Sequence, residues 1–223
     1  MGDPAGWERS VEEFVLAQIG DPPARVLEVG CGEGELARAL ARVGHSVTAI
    51  DPRAPEGPIF RRKRIEEFSD PGRFDHVVAS LSLHHVGDLG MALGNIADLL
   101  RTGGSLVVVE FAWDRIDEAT ARWALGRLPA GSSSEGHSWL GHCCRGERCT
   151  AEWAAERGFH GYWRMRDELG RRFAEVHFEW VPYLYPDLGE EVSEADEMAA
   201  IEAGAINATG FRYVGTKRAT ALP

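Results

Sequence analysis

Nowhere in its 223 residues does the chain carry an apolar run close to the ~20 residues that span a bilayer, and Met1 to Trp7 holds no signal-peptide apolar core. A membrane partner is therefore not expected, and a cytoplasmic location is. Cysteine is scarce: the four present fit reduced thiols in that compartment better than a disulfide framework. Positive charge is in the minority, 24 Lys and Arg against 35 Asp and Glu, for a formal net charge of −11. Neutralising phosphates takes clustered Lys and Arg, so this balance argues against nucleic acid as a partner. The one basic run, Arg61 to Arg64, reads as a solvated strand end, with an anion contact as the alternative. Internal repeats are also missing. What is plentiful is apolar side chain, 44% of residues, enough for a large core and for a single domain over 1–223.

The most informative stretch is Arg25 to Gly34, a short apolar run ending in Gly30, Gly32 and Gly34, followed by Ser46 to Asp51. It describes a buried strand, a glycine turn opening a helix, and a second strand ending in a carboxylate. Glycines allow positive φ and bring the backbone against a ligand with no Cβ in the way, while the helix turns its unpaired N–H groups the same way. Asp51 can accept hydrogen bonds from both hydroxyls of a ribose. The dinucleotide pattern G-x-G-x-x-G is the near rival and fails, because its third glycine would stand at Glu35.

Periodicity extends the pattern. Residues 7–19 have helical spacing with Val11, Phe14, Val15 and Ile19 inward and Ser10 as a candidate cap. A helix over 35–43 points Leu36, Ala37, Leu40 and Val43 inward and closes at Gly44, and another over 88–100 aligns Leu89, Leu93, Ile96 and Leu100. Strands are expected at 25–29, 46–50, 59–62, 76–79 and 106–111, then 173–183 and 209–217, with an acidic helix over 190–205 between the last two. Strands alternating with helices imply an α/β fold whose parallel sheet is covered on both faces and binds ligands at its strands' carboxyl ends. Residues 1–24 form an N-terminal helical segment. Residues 112–172 break the rhythm with five tryptophans, and read as a helical lid or acceptor-binding insertion after strand five.

A G-x-G-x-G turn preceded by Glu28 resembles motif I of the class I S-adenosylmethionine (SAM) dependent methyltransferases. Downstream, Arg64 to Phe68 resembles the adenine-side segment, Phe74 to Val86 the fourth strand with its Leu-His-His-Val exit, and Leu99 to Glu110 the glycine turn into strand five. The resemblance covers roughly residues 25 to 111 and is to the methyltransferase 11-like or UbiE-like branch. It implies a Rossmann-like three-layer sandwich with seven strands in the order 3-2-1-4-5-7-6, the last antiparallel. It also implies SAM as cofactor and S-adenosylhomocysteine (SAH) as product. Glu28, Gly30, Cys31, Gly32 and Gly34 would hold the methionine part. Asp51 would take the ribose, Ile65 and Glu66 the adenine, and Pro52, Ser80 and Leu81 would line the cofactor. Arg64 departs from the pattern, since many relatives carry Asp there to accept the adenine amino hydrogens.

A methyl on a sulfonium is already electrophilic, so the protein must align a nucleophile, exclude water and remove a proton where the acceptor carries one. His84 and His85 are the candidate catalytic bases, with a purely structural role as the alternative. Trp113, Glu110, His137 and His142 are candidate substrate contacts. The cluster of His137, His142, Cys143, Cys144 and Cys149 has the spacing H-x4-H-C-C-x4-C, which matches no common zinc pattern, so no metal is expected. The resulting expectation is methyl transfer to an oxygen or nitrogen of a small molecule, a secondary metabolite, by a monomer or homodimer. A SAM-binding protein without methyl transfer, and a protein or RNA methyltransferase, are the alternatives.

Overall fold

The computed structural model describes residues 4–128, 147–189 and 191–218. Seven strands, β1 (Arg25–Val29), β2 (Ser46–Asp51), β3 (Phe60–Arg62), β4 (Phe74–Ser80), β5 (Leu100–Phe111), β6 (Phe173–Val181) and β7 (Gly210–Lys217), form one sheet in the order β3-β2-β1-β4-β5-β7-β6. The first five pair in parallel, and β7 runs antiparallel to both β5 and β6, as the resemblance implied. Among the described residues the helices are α1 (Pro4–Ile19), α2 (Glu35–Arg42), α3 (Leu89–Leu99), α4 (Glu118–Leu125), α5 (Glu147–Glu156), α6 (Tyr162–Arg172) and α7 (Glu194–Glu202). None of them is long and apolar enough to cross a membrane.

The central strands are continuous apolar runs because both of their faces are covered. Successive side chains alternate across the sheet, so Val26 joins Val11, Val15, Leu40, Val78 and Val107 in one core. Its neighbour Leu27 joins Val77, Leu93, Ile96, Leu106 and Met165 in the other. A third cluster forms beyond the carboxyl end of β5, where Phe111, Ile116, Ala121, Ala124, Leu184 and Leu188 pack with Leu81, Trp113, Trp123, Trp153 and Tyr183. Helix α6 lies in the layer beside α3, burying Tyr162, Met165 and Leu169 in the same core as Leu93. The last part of the 112–172 segment is thus a layer helix.

Four local expectations differ from the structure. Helix α1 spans Pro4–Ile19, so Ser10 is mid-helix; its hydroxyl accepts a hydrogen bond from Arg212 Nη2 at 2.7 Å instead of capping. Helix α2 ends at Arg42, leaving Val43 as a 43% exposed cap before Gly44, at φ +106°. Leu36 is only half-buried. Leu100 is buried but opens β5. Asp88 caps α3 by accepting the Met91 N–H at 2.9 Å, and Ser193 with Asp196 forms a capping box on α7.

Candidate functional site

The carboxyl ends of β1, β2 and β4 meet at one rim. After Val29 the chain turns at once, and the N–H groups of Gly30 and Cys31 both donate to the Ile50 carbonyl, at 2.8 and 3.1 Å. Gly30 has φ +75°, and a Cβ there would collide with the Ser82 side chain. Gly32, at φ +50°, differs: a Cβ on it would stand in open space, where a ligand can approach the bare backbone. Gly34 is the N-cap of α2.

Two cavities open on either side of this turn and share Gly30, Gly32 and Leu81. The first, about 410 Å³, has Val29, Ile50, Ile65 and Leu81 as apolar walls and Asp51, Pro52, Glu66, Ser82 and His85 around them. Asp51 is pinned there: Oδ1 accepts the Arg53 N–H at 2.7 Å, and Oδ2 accepts the Gly32 N–H at 3.3 Å. The second, about 590 Å³, lies between α1 and the turn and is lined by Trp7, Glu8, Glu12, Glu28, Cys31, Ser80 and Leu81, among others. Leu81 is the one non-glycine residue with positive φ among those described, at +47°, and its N–H is tied to the Val109 carbonyl at 2.8 Å. A leucine held in the left-handed region where two cavities meet marks a functional position.

Beneath the glycine turn Glu28 is 3% exposed, and its Oε2 has no hydrogen-bond partner. Burial, then the charge of Glu35 and to a lesser extent that of Asp51, pushes its carboxyl up to about 8 against the partial offset of the Ala37 N–H. Glu28 also lines the second cavity, from which a ligand can supply the missing partner. Cys31, buried in the turn, is pushed up to about 12 by burial and by the Glu28 and Asp51 charges, and is inert as a thiol.

Glu110 stands at the end of β5, fully buried. Its Oε1 accepts the Leu83 N–H at 2.6 Å and the His84 N–H at 3.3 Å, while Oε2 faces His84 Nδ1 at 2.7 Å and accepts the Phe111 N–H at 3.0 Å. Both oxygens are engaged, so in this structure Glu110 serves the turn after β4. Burial alone would lower the His84 pKa, but the Glu110 charge and hydrogen bond outweigh it and the ring is raised above 6.5. Burial would raise Glu110, and the His84 charge, the His84 ring and the N–H groups of Phe111 and His84 lower it instead. His85 stands on the first cavity with its ring 4.0 Å from that of His84 and 4.5 Å from Phe159, and burial followed by the His84 charge pushes it down to about 4. The two histidines are therefore unlike: one braced and basic, one open and neutral.

Trp113 lies on neither cavity. It lines a third, of about 420 Å³, with Arg115, Asp117 and Trp163. His137 and His142, with Cys143 and Cys144, lie outside the described residues, as does the Cys149 side chain. Residues that sequence reasoning passed over matter as well. Asn95 on α3 donates from Nδ2 to the carbonyls of Ile65 (2.6 Å) and Phe68 (3.0 Å), fastening the adenine-side segment; a lone amide on an apolar helix face was the available signal. Glu197, fully buried, accepts the N–H groups of Tyr183, Leu184 and Tyr185, so a carboxylate on α7 sets the loop that carries Tyr183.

The profile of a family described as a methyltransferase domain matches residues 4–182. The chain belongs to that family. Its sheet order and glycine turn are those of the class I SAM-dependent methyltransferases. The chain is 38% identical over 110 residues to a ubiquinone biosynthesis O-methyltransferase of Xanthomonas campestris pv. campestris, covering 42% of this chain and 46% of that protein. It is 30% identical over 178 residues to one from Azorhizobium caulinodans, covering 70% and 65%. The chain thus spans about half the length of several curated relatives. Among solved structures it resembles the 1,6-didemethyltoxoflavin-N1-methyltransferase of Burkholderia thailandensis (TM-score 0.57, 19% identity, 95% of this chain and 78% of that one). A SAM-dependent methyltransferase from Mesorhizobium loti is also similar (TM-score 0.58, 21% identity, 94% and 96%). At these identities the structural likeness speaks for the fold.

Proposed function

We propose that this methyltransferase moves the methyl of SAM to an oxygen or nitrogen of a small molecule, a secondary metabolite, with His84 as the base that takes the acceptor's proton. When bound, SAM supplies an electrophilic methyl on a sulfonium. Asp51 would hold the ribose hydroxyls, Ile65 and Glu66 the adenine side, and Glu28 the α-ammonium beneath the Gly30 to Gly34 turn, with Leu81 where the two cavities join. The groups present fit that molecule: an apolar slot with a pinned carboxylate on one side, an unsatisfied buried acid on the other.

One observation carries the catalytic part. Glu110 fixes His84 through Nδ1, which leaves Nε2 as the nitrogen for proton transfer and makes the ring a stronger base than free imidazole. Beside Leu81 the acceptor would meet an aromatic wall: Tyr183 stacks on Phe111 at 4.5 Å, and Trp7 meets Tyr183 edge-on at 5.5 Å. Of the 112–172 segment, helices α4 and α5 would form the lid over it. The relatives named for O- and N-methyl transfer to small molecules support this acceptor class. A second reading has a specific observation behind it: Oε1 of Glu110 also holds two backbone N–H groups, so the pair could serve only to brace the turn.

Titration calorimetry with SAH and NAD tests the cofactor, and heat from NAD alone refutes the reading. Screening acceptors for a SAM-dependent product heavier by one methylene tests the chemistry. With any acceptor found, H84Q should lower kcat by roughly 10²–10⁴, the usual range for a lost general base. The wild-type rate should rise with pH through a limb above 6.5, because the raised ring must lose its proton before it can act. An H84Q enzyme with wild-type kcat and the same limb assigns the pair to bracing.

A further inference from the structure

We propose that His160 is a positioning residue, a clamp that holds the Leu83 to Val86 turn, and with it both histidine rings, against the lid helix α5. The turn has two holds. Glu110 grips it from inside the sheet. From outside, the His160 N–H donates to the His84 carbonyl at 3.0 Å, and its ring Nε2 lies 2.8 Å from the Val86 carbonyl. A carbonyl only accepts, so Nε2 must carry the proton and the tautomer is fixed. His160 is 5% exposed, which makes both bonds costly to lose.

The residue before it extends the link. The Phe159 ring meets His84 and His85 edge-on at 5.2 and 4.5 Å, and also meets Trp153 of α5 edge-on at 5.1 Å. The Phe159 N–H returns to the Ala154 carbonyl at 2.9 Å, closing the end of α5. Just after it, Asp114 accepts the N–H groups of Tyr162 and Trp163, and a Cβ on Gly161 would strike that carboxylate. The short segment 159–161 is thereby locked between lid helix, β5 exit and histidine turn. Since His85 and Val86 both line the first cavity, the same lock sets one wall of the cofactor site.

The inference rests on the proposed function for its catalytic meaning, but its test reads quantities that need no acceptor. Two are measured: SAH affinity by calorimetry, and the ¹⁵N shifts and titration of the His84 ring by NMR. Glu110, His85 and His160 are the titratable groups that face that ring. H160L removes the Nε2 donor; H160Q restores an amide N–H of similar reach. The expectation for H160L is an SAH affinity weaker by roughly tenfold, about one lost buried hydrogen bond. Its His84 titration should move down toward that of free imidazole as the contact with Glu110 loosens, and H160Q should recover both. Should H160L fold poorly, H160N, too short to reach Val86, takes its place. Unchanged affinity and unchanged His84 titration in the donor-less variant overturn the clamp. So does failure of H160Q to recover either. If the base assignment is at fault instead, H84Q keeps its turnover while the His160 effects persist.

Discussion

Glu28 and Glu110 are both buried acids at strand ends, yet their protons are held in opposite ways. Glu110 faces His84 and three backbone N–H groups, which favour its charge more than burial opposes it. Glu28 faces Glu35 and Asp51, with one backbone N–H in its favour, so burial wins. With its pKa at about 8, Glu28 is mostly protonated at pH 7, and a bound ammonium should ionise it. SAH binding at pH 7 should then release a proton, seen as binding enthalpies that scale with the ionisation enthalpy of the buffer; E28Q should lose that dependence. A buffer-independent enthalpy in the wild type rejects the pairing. The sign for stability follows from linkage: between 4.5 and about 8 the folded protein holds a proton that the unfolded chain has shed, so Glu28 makes the wild type less stable as pH rises through that window, and E28Q removes the slope. The His84–Glu110 pair runs differently. The lowered Glu110 stabilises above 4.5 and loses that contribution as pH falls through its folded value. The raised His84 stabilises fully below 6.5 and loses it as pH rises through its own. Urea unfolding of the wild type against H84Q should therefore show the largest gap between about pH 4.5 and 6.5, shrinking on both sides.

Helix α1 closes the second cavity without belonging to the sheet, and three contacts fix it. Its apolar stripe of Val11, Phe14, Val15 and Ile19 is buried on the sheet. Arg212 of β7 reaches Ser10 with Nη2, 2.7 Å from the hydroxyl and 3.3 Å from the carbonyl, and lies over the Phe14 ring. Trp7 rests edge-on against Tyr183. Because Trp7 lines the second cavity and lies outside the fully buried stripe, W7A should weaken SAH binding by roughly three- to tenfold, the worth of an aromatic pair, with a small change in melting temperature. A full loss of fold would mean that Trp7 anchors the helix instead. At this scale the sequence was readable where burial is continuous. β1, β2, β4 and the glycine turn stand out because two-sided burial forces unbroken apolar runs. Ser10 and Val43 were misread because a helical stripe reports a face and not an end; Ser10 lies within α1, and α2 stops ahead of Gly44. The roles of Glu110 and His160 were not legible for a different reason. Each makes its decisive contact with a turn 26 or 74 residues away, and side-chain periodicity carries no record of which distant strand end will lie opposite.

Across the whole molecule, the sheet is a shared wall between two cores, and this decides how the protein should unfold. Val26 faces the core that contains Leu40, while Leu27, the next residue, faces the core that contains Leu93; neither core can open without exposing the other's strands. Leu40→Ala and Leu93→Ala, both at fully buried positions, should each cost about 2–5 kcal/mol. For a chain of this size that is a melting-temperature drop of roughly 5–15 °C. If residues 1–223 are one cooperative domain, each variant should move far-UV circular dichroism and tryptophan fluorescence by the same amount, although the two leucines lie on opposite faces. SAH at a hundredfold its Kd should then add about 2.7 kcal/mol to either variant, because a ligand seated across the carboxyl ends of β1, β2 and β4 is lost only when the common sheet is lost. Two separated transitions, with SAH raising only one of them, would show instead that the faces melt independently and that the cofactor rim belongs to one.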